Sequence, residues 1–323
     1  MYIGIICEFD PLHSGHARLL SHARAMGADA VICAMSGNFT QRGSFAALDK
    51  RARAEMAVRC GADLVVELPT VWAMSPAETF ARGGVQLLAL TGVDTLLFGS
   101  ECGELSALRR LADCLDSPAF ADRLTAADSG ATFAVRRQRA AAALLGDADA
   151  ALLESPNNTL AVEYLRALRR TGAAMTPATL LRTGAAHDGA PEGGTASASY
   201  LRQLLRQEQG EAACGFTPPE AADILRRELS HGRVTDSALC ERAVLSRLRI
   251  MTEEDWRGYD PGGEGLYHRL YQAARSACTV DGLLSAAKTK RYPLARLRRM
   301  ALAAYLQPVS YTHLRAHETR RHL

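Results

Sequence analysis

The chain has 323 residues, of which 48% are hydrophobic and 23% are charged, and its formal net charge at pH 7 is +3. These values are typical of a soluble globular protein long enough for two domains, and they argue against a chain that is disordered as a whole. No apolar run is long enough to span a bilayer, and the N-terminus lacks a basic region followed by an apolar signal core. We therefore expect a cytoplasmic protein without a membrane partner, whose oligomeric state the sequence does not indicate.

The cysteine pattern and the C-terminal stretch exclude some kinds of site and some residues from the fold prediction. The cysteines form no CxxC pair and no ligand-like cluster, which predicts buried thiols rather than zinc sites or disulfides; they are Cys7, Cys33, Cys60, Cys102, Cys114, Cys214, Cys240 and Cys278. Residues 309–323 read like a translated sequencing-library adapter, so they are left out of the fold prediction, and the natural C-terminus is expected to be missing. Without the three arginines and one glutamate of this stretch the net charge falls from +3 to about +1, which says little about nucleic acid.

A short turn near the N-terminus carries the clearest chemical signal. An apolar run typical of a buried strand ends at Pro11, and a helix is predicted to begin near Ser14. Free N–H groups at that helix start, together with the helix dipole, favour an anion, and Gly15 lets a phosphate approach the backbone. His13 and His16 lie on one side of the first helical turn, where both imidazoles can donate to a triphosphate. Two histidines at this spacing also occur by chance, so the prediction of a nucleotide-phosphate site depends on their place between a strand and a helix.

Short apolar runs alternate with helical segments through the first 182 residues. This alternation predicts an α/β domain with a parallel, doubly wound, Rossmann-like sheet. The predicted strands are 2–6, 30–35, 62–68, 95–98 and 178–182, and helices are predicted at 17–26, 50–60, 76–90 and 161–170, with more helix between 105 and 146.

The loop after the second predicted strand is chemically varied. It contains Ser36, Asn38 and Arg42 at the carboxyl end of a strand, where open α/β sheets bind ligands. Lys50 follows at the start of the next helix. A plain polar connection is the alternative. Glu67, near the end of the third strand, can contact a ligand or face solvent, and the sequence does not decide between the two.

Three later positions offer further contacts to a nucleotide. Gly99 follows the fourth strand and permits close approach, and Arg182 ends the last strand. Asn157 and Asn158 precede a predicted helix, where asparagine is usually a cap. Because there are two, one amide is expected to remain for a ligand such as adenine or ribose.

A second anion site is predicted after the Gly- and Pro-rich residues 185–195. Ser199 and Arg202 are three residues apart at a helix start, where a hydroxyl, backbone N–H groups and a guanidinium converge. The alternative is a serine cap beside an unrelated arginine.

Beyond residue 207 or so, only helices are predicted, at 218–229, 236–247, 265–276 and 294–306. We therefore divide the chain into a catalytic domain (1–206) and a smaller α-helical domain (207–308). Residues 288–299 concentrate positive charge around Tyr292, a pattern that can neutralise phosphates while the ring stacks on a base, although most charge runs are solvated faces. The residues of this segment that are predicted to contact nucleic-acid phosphates are Lys288, Lys290, Arg291, Arg296, Arg298 and Arg299.

Taken in order, these segments resemble one family. The motifs GIICEFDPLHSGH, MSGNFTQRG, DKRARAEMA, GADLVVELP, FGSE, PNNTLAVEYLRAL, SASYLR and KTKRYPLARLRRM follow one another as in the bacterial tRNA(Met) cytidine acetate ligases, members of the HxGH nucleotidyltransferase superfamily. The resemblance covers residues 1 to about 307. Asp10 and Leu12 depart from the asparagine and phenylalanine common in the family. A carboxylate near phosphates needs magnesium or a hydrogen-bond partner, so Asp10 is expected to have one of them.

The resemblance implies a ligase that activates acetate with ATP, forms acetyl-adenylate and pyrophosphate, and transfers the acetyl group to N4 of the wobble cytidine of elongator tRNA(Met), giving N4-acetylcytidine. The expected catalytic residues are His13 and His16, with Ser36 and Lys50 on the acetate or cytidine side. Mg²⁺ is expected to bind with ATP, and no protein ligand is assigned to it. ATP is expected at Cys7, Glu8, Phe9, Asp10, Pro11, Leu12, His13, Ser14, Gly15, His16, Gly99, Asn157, Arg182, Ser199 and Arg202.

Two other functions remain open at this point. An adenylyltransferase of the pantetheine-phosphate or nicotinamide-mononucleotide type shares the histidine turn, but it needs no basic helical domain. A catalytically idle tRNA-binding protein that keeps the pocket for stability would bind tRNA without consuming ATP in the presence of acetate.

Overall fold

A computed structural model describes residues 1–126, 130–183, 195–235, 237–260, 265–290 and 292–307. The chain forms two compact units, one of residues 1–41 and 45–236 and the other of residues 42–44 and 237–323. The first unit therefore extends past the predicted boundary at residue 206. The reason is that apolar side chains of residues 221–225 join the same buried cluster as those of the first strands.

The first unit is built on a five-stranded sheet in which every pair of neighbouring strands is parallel, as predicted. The strands are β1 (Tyr2–Cys7), β2 (Ala30–Ser36), β3 (Leu64–Leu68), β4 (Thr95–Ser100) and β5 (Thr176–Leu181). Their order in the sheet is β3-β2-β1-β4-β5, so the winding direction reverses between β1 and β4. At such a reversal the loops after the two strands diverge and leave a crevice, which is where open α/β sheets bind ligands.

Helices cover both faces of this sheet. They are α1 (Ser14–Ala25), α2 (Lys50–Arg59), α3 (Thr70–Ala73), α4 (Ala77–Ala89), α5 (Leu105–Leu115), α6 (Pro118–Ala126), α7 (Phe133–Leu145), α8 (Asp147–Ala151), α9 (Pro156–Thr171), α10 (Ala198–Arg206), α11 (Gly210–Cys214) and α12 (Pro219–Ser230), with a 3-10 turn at Leu152–Glu154. Helix α9 begins earlier than the predicted residue 161. Pro156 suits the first helical position because it has no N–H to leave unpaired, so the two asparagines lie inside the first turn.

Alternation along the strands divides the core into two clusters. Ile3 and Ile5 of β1 pack with residues of α1, α2 and α12, whereas Ile6 packs with residues of α4, α5 and α9. Successive side chains of a strand point to opposite faces of the sheet, so Ile3 and Ile5 share one face and Ile6 lies on the other. The central strands β1, β2 and β4 are thereby buried on both faces, whereas the outer strands β3 and β5 are mostly half-buried or exposed.

The described residues of the second unit are helical, as predicted. Its helices are α13 (Ser237–Ile250), α14 (Glu253–Arg257), α15 (Leu266–Ser276), α16 (Val280–Ala287) and α17 (Leu294–Leu306). Trp256 is fully buried in this unit. The backbone of Gly43, with φ +75°, lies so close to α17 that an added Cβ would be 2.5 Å from the Arg299 nitrogen. Within the described ranges, no helix combines the length and the apolar character needed to cross a bilayer.

Candidate active site

A cleft opens where β1, β4 and β5 end. It encloses about 630 Å³, part of which is open solvent. Four stretches of chain form its wall: the start of α1, the end of β4, the end of β5, and the residues before α10. The lining residues are His13, Ser14, Gly15, His16, Arg18, Leu19, Gly99, Leu180, Leu181, Arg182, Thr183, Thr195, Ala196 and Ser197. Six of the predicted ATP-binding residues thus share one cleft, although they come from three distant parts of the sequence.

His13 and His16 lie at the start of α1 and line the cleft. The Nδ1 atom of His13, the N-cap of α1, accepts a hydrogen bond from the Gly15 N–H at 3.1 Å, and Nδ1 of His16 accepts from the His13 N–H at 3.4 Å. The two rings stack with centroids 3.7 Å apart. Because Nδ1 is the acceptor in each ring, the neutral imidazoles carry their protons on Nε2. The pair therefore offers two Nε2–H donors to a ligand in the cleft.

Both imidazoles are neutral at pH 7. Burial, with smaller contributions from the positive charges of Arg182 and Arg202, lowers the pKa of His13 to about 3. Burial likewise holds the pKa of His16 well below its ordinary value, helped by His13 and the same two arginines. The histidines therefore act as hydrogen-bond donors and not as cations.

The start of α1 differs from the expectation of free backbone donors. The Ser14 N–H donates to the Phe216 carbonyl oxygen at 3.1 Å, the Gly15 N–H donates to His13, and the His16 N–H donates to the His13 carbonyl oxygen at 2.9 Å. All three N–H groups are thus bonded within the protein, so donors to a ligand at this turn must come from side chains. The Ser14 hydroxyl is such a donor: it is buried and has no partner among the described residues.

Two arginines bring positive charge to the cleft. The main-chain N–H of Arg182 donates to the Ser100 carbonyl oxygen at 2.9 Å, and its side chain passes over Gly99, where an added Cβ would be 3.1 Å from the Arg182 Cγ. Arg18, which is not among the residues predicted from the sequence, donates to the Thr183 hydroxyl across the cleft wall. The signal that could have found Arg18 is its position four residues after Ser14, which puts both on one side of α1.

Glu101 ties the loop after β4 to the start of α9. Its carboxylate accepts from the Asn157 N–H at 3.2 Å, from the Asn157 side-chain amide at 2.7 Å and from the Asn158 N–H at 2.7 Å. The side-chain oxygen of Asn158 accepts from the Cys102 N–H at 3.1 Å. Both amides thus hold bonds within the protein, in contrast to the expectation that one remains for a ligand, and neither asparagine lines the cleft.

The predicted pair Ser199 and Arg202 is brought together, with Nη2 of Arg202 donating to the Ser199 hydroxyl at 3.1 Å. The N-cap of α10, however, is Ser197, whose hydroxyl accepts from the Tyr200 N–H at 3.2 Å. Arg202 also donates to the Asp10 carbonyl oxygen at 2.6 Å. Neither Ser199 nor Arg202 is among the residues that line the cleft.

The remaining residues of the first turn are mostly buried. The side chains of Cys7, Phe9 and Leu12 belong to the core, and Pro11 is buried. Only their backbone can contact a nucleotide, because their side chains pack away from water. Glu8 is half-buried, and its carboxylate accepts from the Gln41 N–H at 2.7 Å.

Ser36 and Lys50 lie outside the cleft lining. The buried Ser36 hydroxyl is 3.4 Å from the Glu8 carboxylate. The ammonium of Lys50 forms a 2.5 Å ion pair with Glu67, and its main-chain N–H donates to the Asn38 side chain at 2.8 Å. Glu67, which the sequence left open between a ligand contact and solvent, is exposed, pairs with Lys50 and does not line the cleft.

Comparison with known proteins places this chain in a family. The profile described as HIGH Nucleotidyl Transferase matches residues 1–322. The tRNA(Met) cytidine acetate ligase of Syntrophotalea carbinolica is 40% identical over 310 residues, which are 92% of this chain and 72% of that protein. The chain belongs to the tRNA(Met) cytidine acetate ligases of the HIGH nucleotidyl transferase family.

Solved structures agree with this assignment. The crystal structure of apo Thermotoga maritima TmcAL matches with a TM-score of 0.88 and 32% identity over 94% of this chain and 74% of that one. The T. maritima TmcAL structure bound with alpha-thio ATP matches with a TM-score of 0.86 and 31% identity over 98% of this chain and 77% of that one. The predicted α/β nucleotidyltransferase fold is thus confirmed.

In this member of the ligase family, the basic segment belongs to the second unit. Lys288 and Lys290 are exposed, whereas Arg298 and Arg299 are half-buried on α17. Arg296 lies 3.3 Å from the buried Asp260 carboxylate. Arg291 lies outside the described residues.

The ring predicted to stack on a base is not exposed. Tyr292 is 6% exposed, and the guanidinium of Arg296 lies over it, 5.3 Å from the ring centroid. A ring that is buried beneath an arginine offers no face to a base, so the stacking prediction is wrong.

Two structural findings concern metals and cysteines. Among the described residues, no group of three or more His, Cys, Asp or Glu side chains is placed to hold a metal ion. All eight cysteines are free thiols, and four of them, Cys7, Cys33, Cys114 and Cys214, are buried.

Proposed function

We propose that this chain activates acetate with ATP to form acetyl-adenylate and pyrophosphate, and then transfers the acetyl group to N4 of the wobble cytidine of elongator tRNA(Met). The observation that carries the proposal is the stacked, neutral histidine pair at the reversal of the sheet order, beside a buried Ser14 hydroxyl that lacks a partner among the described residues. Relatives over nearly the whole chain are named for this activity.

The first step brings an anion to a polyanion. An acetate oxygen attacks the α-phosphorus of ATP, the bond to the bridging oxygen breaks, and pyrophosphate leaves with its electron pair. The site must therefore offset negative charge on both reactants and on the leaving group. In the cleft, His13 and His16 offer Nε2–H donors, Ser14 offers a hydroxyl, and Arg18 and Arg182 offer positive charge. Holding the reactants in line supplies much of the remaining rate enhancement.

Magnesium is proposed to enter with ATP, where it neutralises charge on the phosphate oxygens. The carboxylates of the first turn fit this view, because they are already engaged within the protein. Glu8 accepts from the Gln41 N–H, and Asp10 accepts from the Ala47 N–H at 2.6 Å. A magnesium ion held by phosphate oxygens and water needs no ligand from these residues.

In the second step the cytidine N4 nitrogen attacks the acetyl carbonyl carbon, AMP leaves, and the nitrogen loses a proton. An anticodon base splayed from its loop can be presented to a protein pocket in this way. We propose Ser36 and Lys50 for the acetate or cytidine side, since both lie at the carboxyl edge of the sheet next to β1. Lys288 and Lys290 are exposed and suit contact with tRNA phosphates. The proposed place of action is the cytoplasm.

The deciding experiment is ATP–pyrophosphate exchange with and without acetate, followed by transfer of labelled acetate to tRNA(Met). We expect exchange that requires acetate and label that appears in N4-acetylcytidine. Exchange that instead requires a phosphorylated small-molecule acceptor would indicate an adenylyltransferase. Tight tRNA binding without acetate-dependent exchange would indicate an idle RNA-binding protein.

A further inference from the structure

Arg53, on helix α2, is a buried cation that the proposed chemistry does not use. Its side chain is 0% exposed. Nε donates to the Leu48 carbonyl oxygen at 3.1 Å, Nη1 donates to the carbonyl oxygens of Glu8 at 2.5 Å and Ser36 at 3.2 Å, and Nη2 donates to that of Gly37. One guanidinium thus serves four main-chain carbonyls, which matches its fixed fork of donors.

These four carbonyls come from three segments that meet at the carboxyl edge of the sheet. Glu8 directly follows β1, Ser36 and Gly37 end β2 and begin its loop, and Leu48 lies just before α2. Arg53 makes no ion pair with a carboxylate among the described residues, so its charge is directed at backbone dipoles. A buried charge is retained only when the protein replaces the hydration that the charge loses. For Arg53 the four carbonyl oxygens supply this replacement, and by binding them the guanidinium holds the three segments together.

A short path leads from Arg53 to the histidine pair. The carbonyl held by Arg53 at Glu8 belongs to the peptide that joins Glu8 to Phe9. Phe9 has φ +48°, in the left-handed region that residues other than glycine rarely adopt. Its buried ring meets the His16 ring edge-on, with centroids 5.1 Å apart. Fixing this peptide therefore fixes the ring against which His16 rests.

A second path leads to the loop after β2. The Ser36 and Gly37 carbonyls held by Arg53 precede the loop, and the Gln41 N–H farther along it donates to the Glu8 carboxylate. The turn after β1 and the loop after β2 are thus joined on one side by the guanidinium and on the other by Glu8. Loosening either link changes the separation of the two segments.

We infer that Arg53 is a positioning residue that fixes the position of His16 relative to the loop after β2 for acetate activation. This inference rests on the proposed function, because it assumes that the two segments face the two reactants. Arg53 does not touch the cleft, so its loss acts on the rate of the step more than on the binding of ATP. Small displacements of positioned groups lower rates by about 100-fold in other enzymes.

The test compares Arg53→Lys with the matched control Arg51→Lys, which lies two residues away on α2 and is exposed. Lysine keeps the charge, but its single nitrogen cannot span the four carbonyls. In acetate-dependent ATP–pyrophosphate exchange we expect kcat of Arg53→Lys to fall about 10- to 100-fold while KM for ATP changes less than about twofold. Hydrogen exchange at the Gln41 amide should accelerate in Arg53→Lys and stay unchanged in Arg51→Lys.

A second variant keeps the inference testable if Arg53→Lys does not fold. Phe9→Leu preserves an apolar side chain in the core and removes the ring contact with His16, so it should also lower kcat with little change in KM. The inference is overturned if Arg53→Lys folds with wild-type kcat and wild-type protection of Gln41. It is also overturned if Phe9→Leu retains full kcat, or if either variant raises KM for ATP as much as it lowers kcat. If the wild-type protein shows no acetate-dependent exchange, the proposed function is rejected instead. Hydrogen exchange at the Gln41 amide would still test whether Arg53 fixes the loop after β2.

Discussion

Asp10 and Arg202 are joined at two points although 192 residues separate them. Nη1 of Arg202 donates to the Asp10 main-chain oxygen at 2.6 Å and lies 3.5 Å from its carboxylate oxygen Oδ2. The other carboxylate oxygen accepts from the Ala47 N–H. Asp10, which stands where the family commonly has asparagine, therefore has the hydrogen-bond partner expected for it. It also contacts Arg202, which is predicted from the sequence to bind ATP.

Replacing Asp10 with asparagine should alter how stability depends on pH. Burial raises the pKa of Asp10 above its ordinary 3.8, and Arg202 opposes the shift only in part. A raised pKa means that the folded state holds the proton more tightly, so this stabilising contribution is lost as pH rises from 3.8 through the folded pKa. Asp10→Asn keeps an acceptor for Ala47 and does not titrate. Its stability relative to wild type should therefore increase between pH 4 and pH 7.

Urea unfolding of both proteins at several pH values measures this difference. The exposed Asp122→Asn serves as the control, since its side chain has no partner in the site. A difference between Asp10→Asn and wild type that is constant with pH would contradict the pKa direction.

Replacing His13 with asparagine should have the opposite pH signature. The pKa of His13 is about 3 in the folded chain and near 6.5 when unfolded, so the unfolded chain binds a proton that the folded chain refuses. The stability contributed by the neutral ring is complete above pH 6.5 and is lost as pH falls, by about 2 kcal/mol between pH 6.5 and pH 5. Asparagine is also a favourable N-cap, so His13→Asn should retain the helix start while losing this dependence.

The measurement is the free energy of unfolding of His13→Asn and wild type from pH 5 to pH 7. His22→Asn, on the same helix but outside the cleft, is the control. Parallel curves for His13→Asn and wild type would mean that folding does not lower the pKa of His13.

Replacing His16 with alanine should abolish nucleotide activation and spare tRNA binding. The variant loses one Nε2–H donor to the phosphates, a loss that costs about 100- to 1,000-fold in rate for comparable donors. ATP–pyrophosphate exchange and a tRNA binding titration measure the two effects separately, with His22→Ala as the control. Equal loss of both activities would point to a structural role for His16.

Replacing Glu101 with alanine should loosen the start of α9. Two N–H groups in its first turn, of Asn157 and Asn158, lose their acceptor, which is expected to lower the free energy of unfolding by about 1–3 kcal/mol. ATP binding should weaken too, because Gly99 and Ser100 immediately precede Glu101. The Ser100 carbonyl oxygen accepts from the Arg182 N–H, so a looser loop would displace Arg182. Thermal unfolding and ATP titration measure these effects. Glu104→Ala, an exposed neighbour without a side-chain cap bond, should leave both unchanged.

The order of elements and the nucleotide end of the site follow from local sequence. Short apolar runs bounded by turn residues determine where strands lie, and parallel connections place their carboxyl ends along one edge. His13 and His16 could therefore be predicted as a phosphate site from their place between a strand and a helix. Gly99 and Arg182 follow strand ends, and their assignment to the same ATP site comes from the family resemblance. The hydrogen bond between Arg18 and Thr183 could not be predicted, because it joins residues 165 positions apart that only the packing of the fold brings together.

What only the tertiary structure decides is the state of each polar group. By sequence, His13 and His16 are an ordinary pair, and the first N–H groups of α1 look free. Packing buries the His13 ring and half-buries the His16 ring, and both are neutral. Their Nδ1 atoms accept from the Gly15 and His13 N–H groups, so that donors to a ligand come from side chains. The sequence determined the turn that organises this protein, since a strand, a proline and a helix start are local features. Only the fold decided which of its atoms remain for a nucleotide, because burial and long-range partners such as Arg202 and Arg53 set charge and hydrogen bonding.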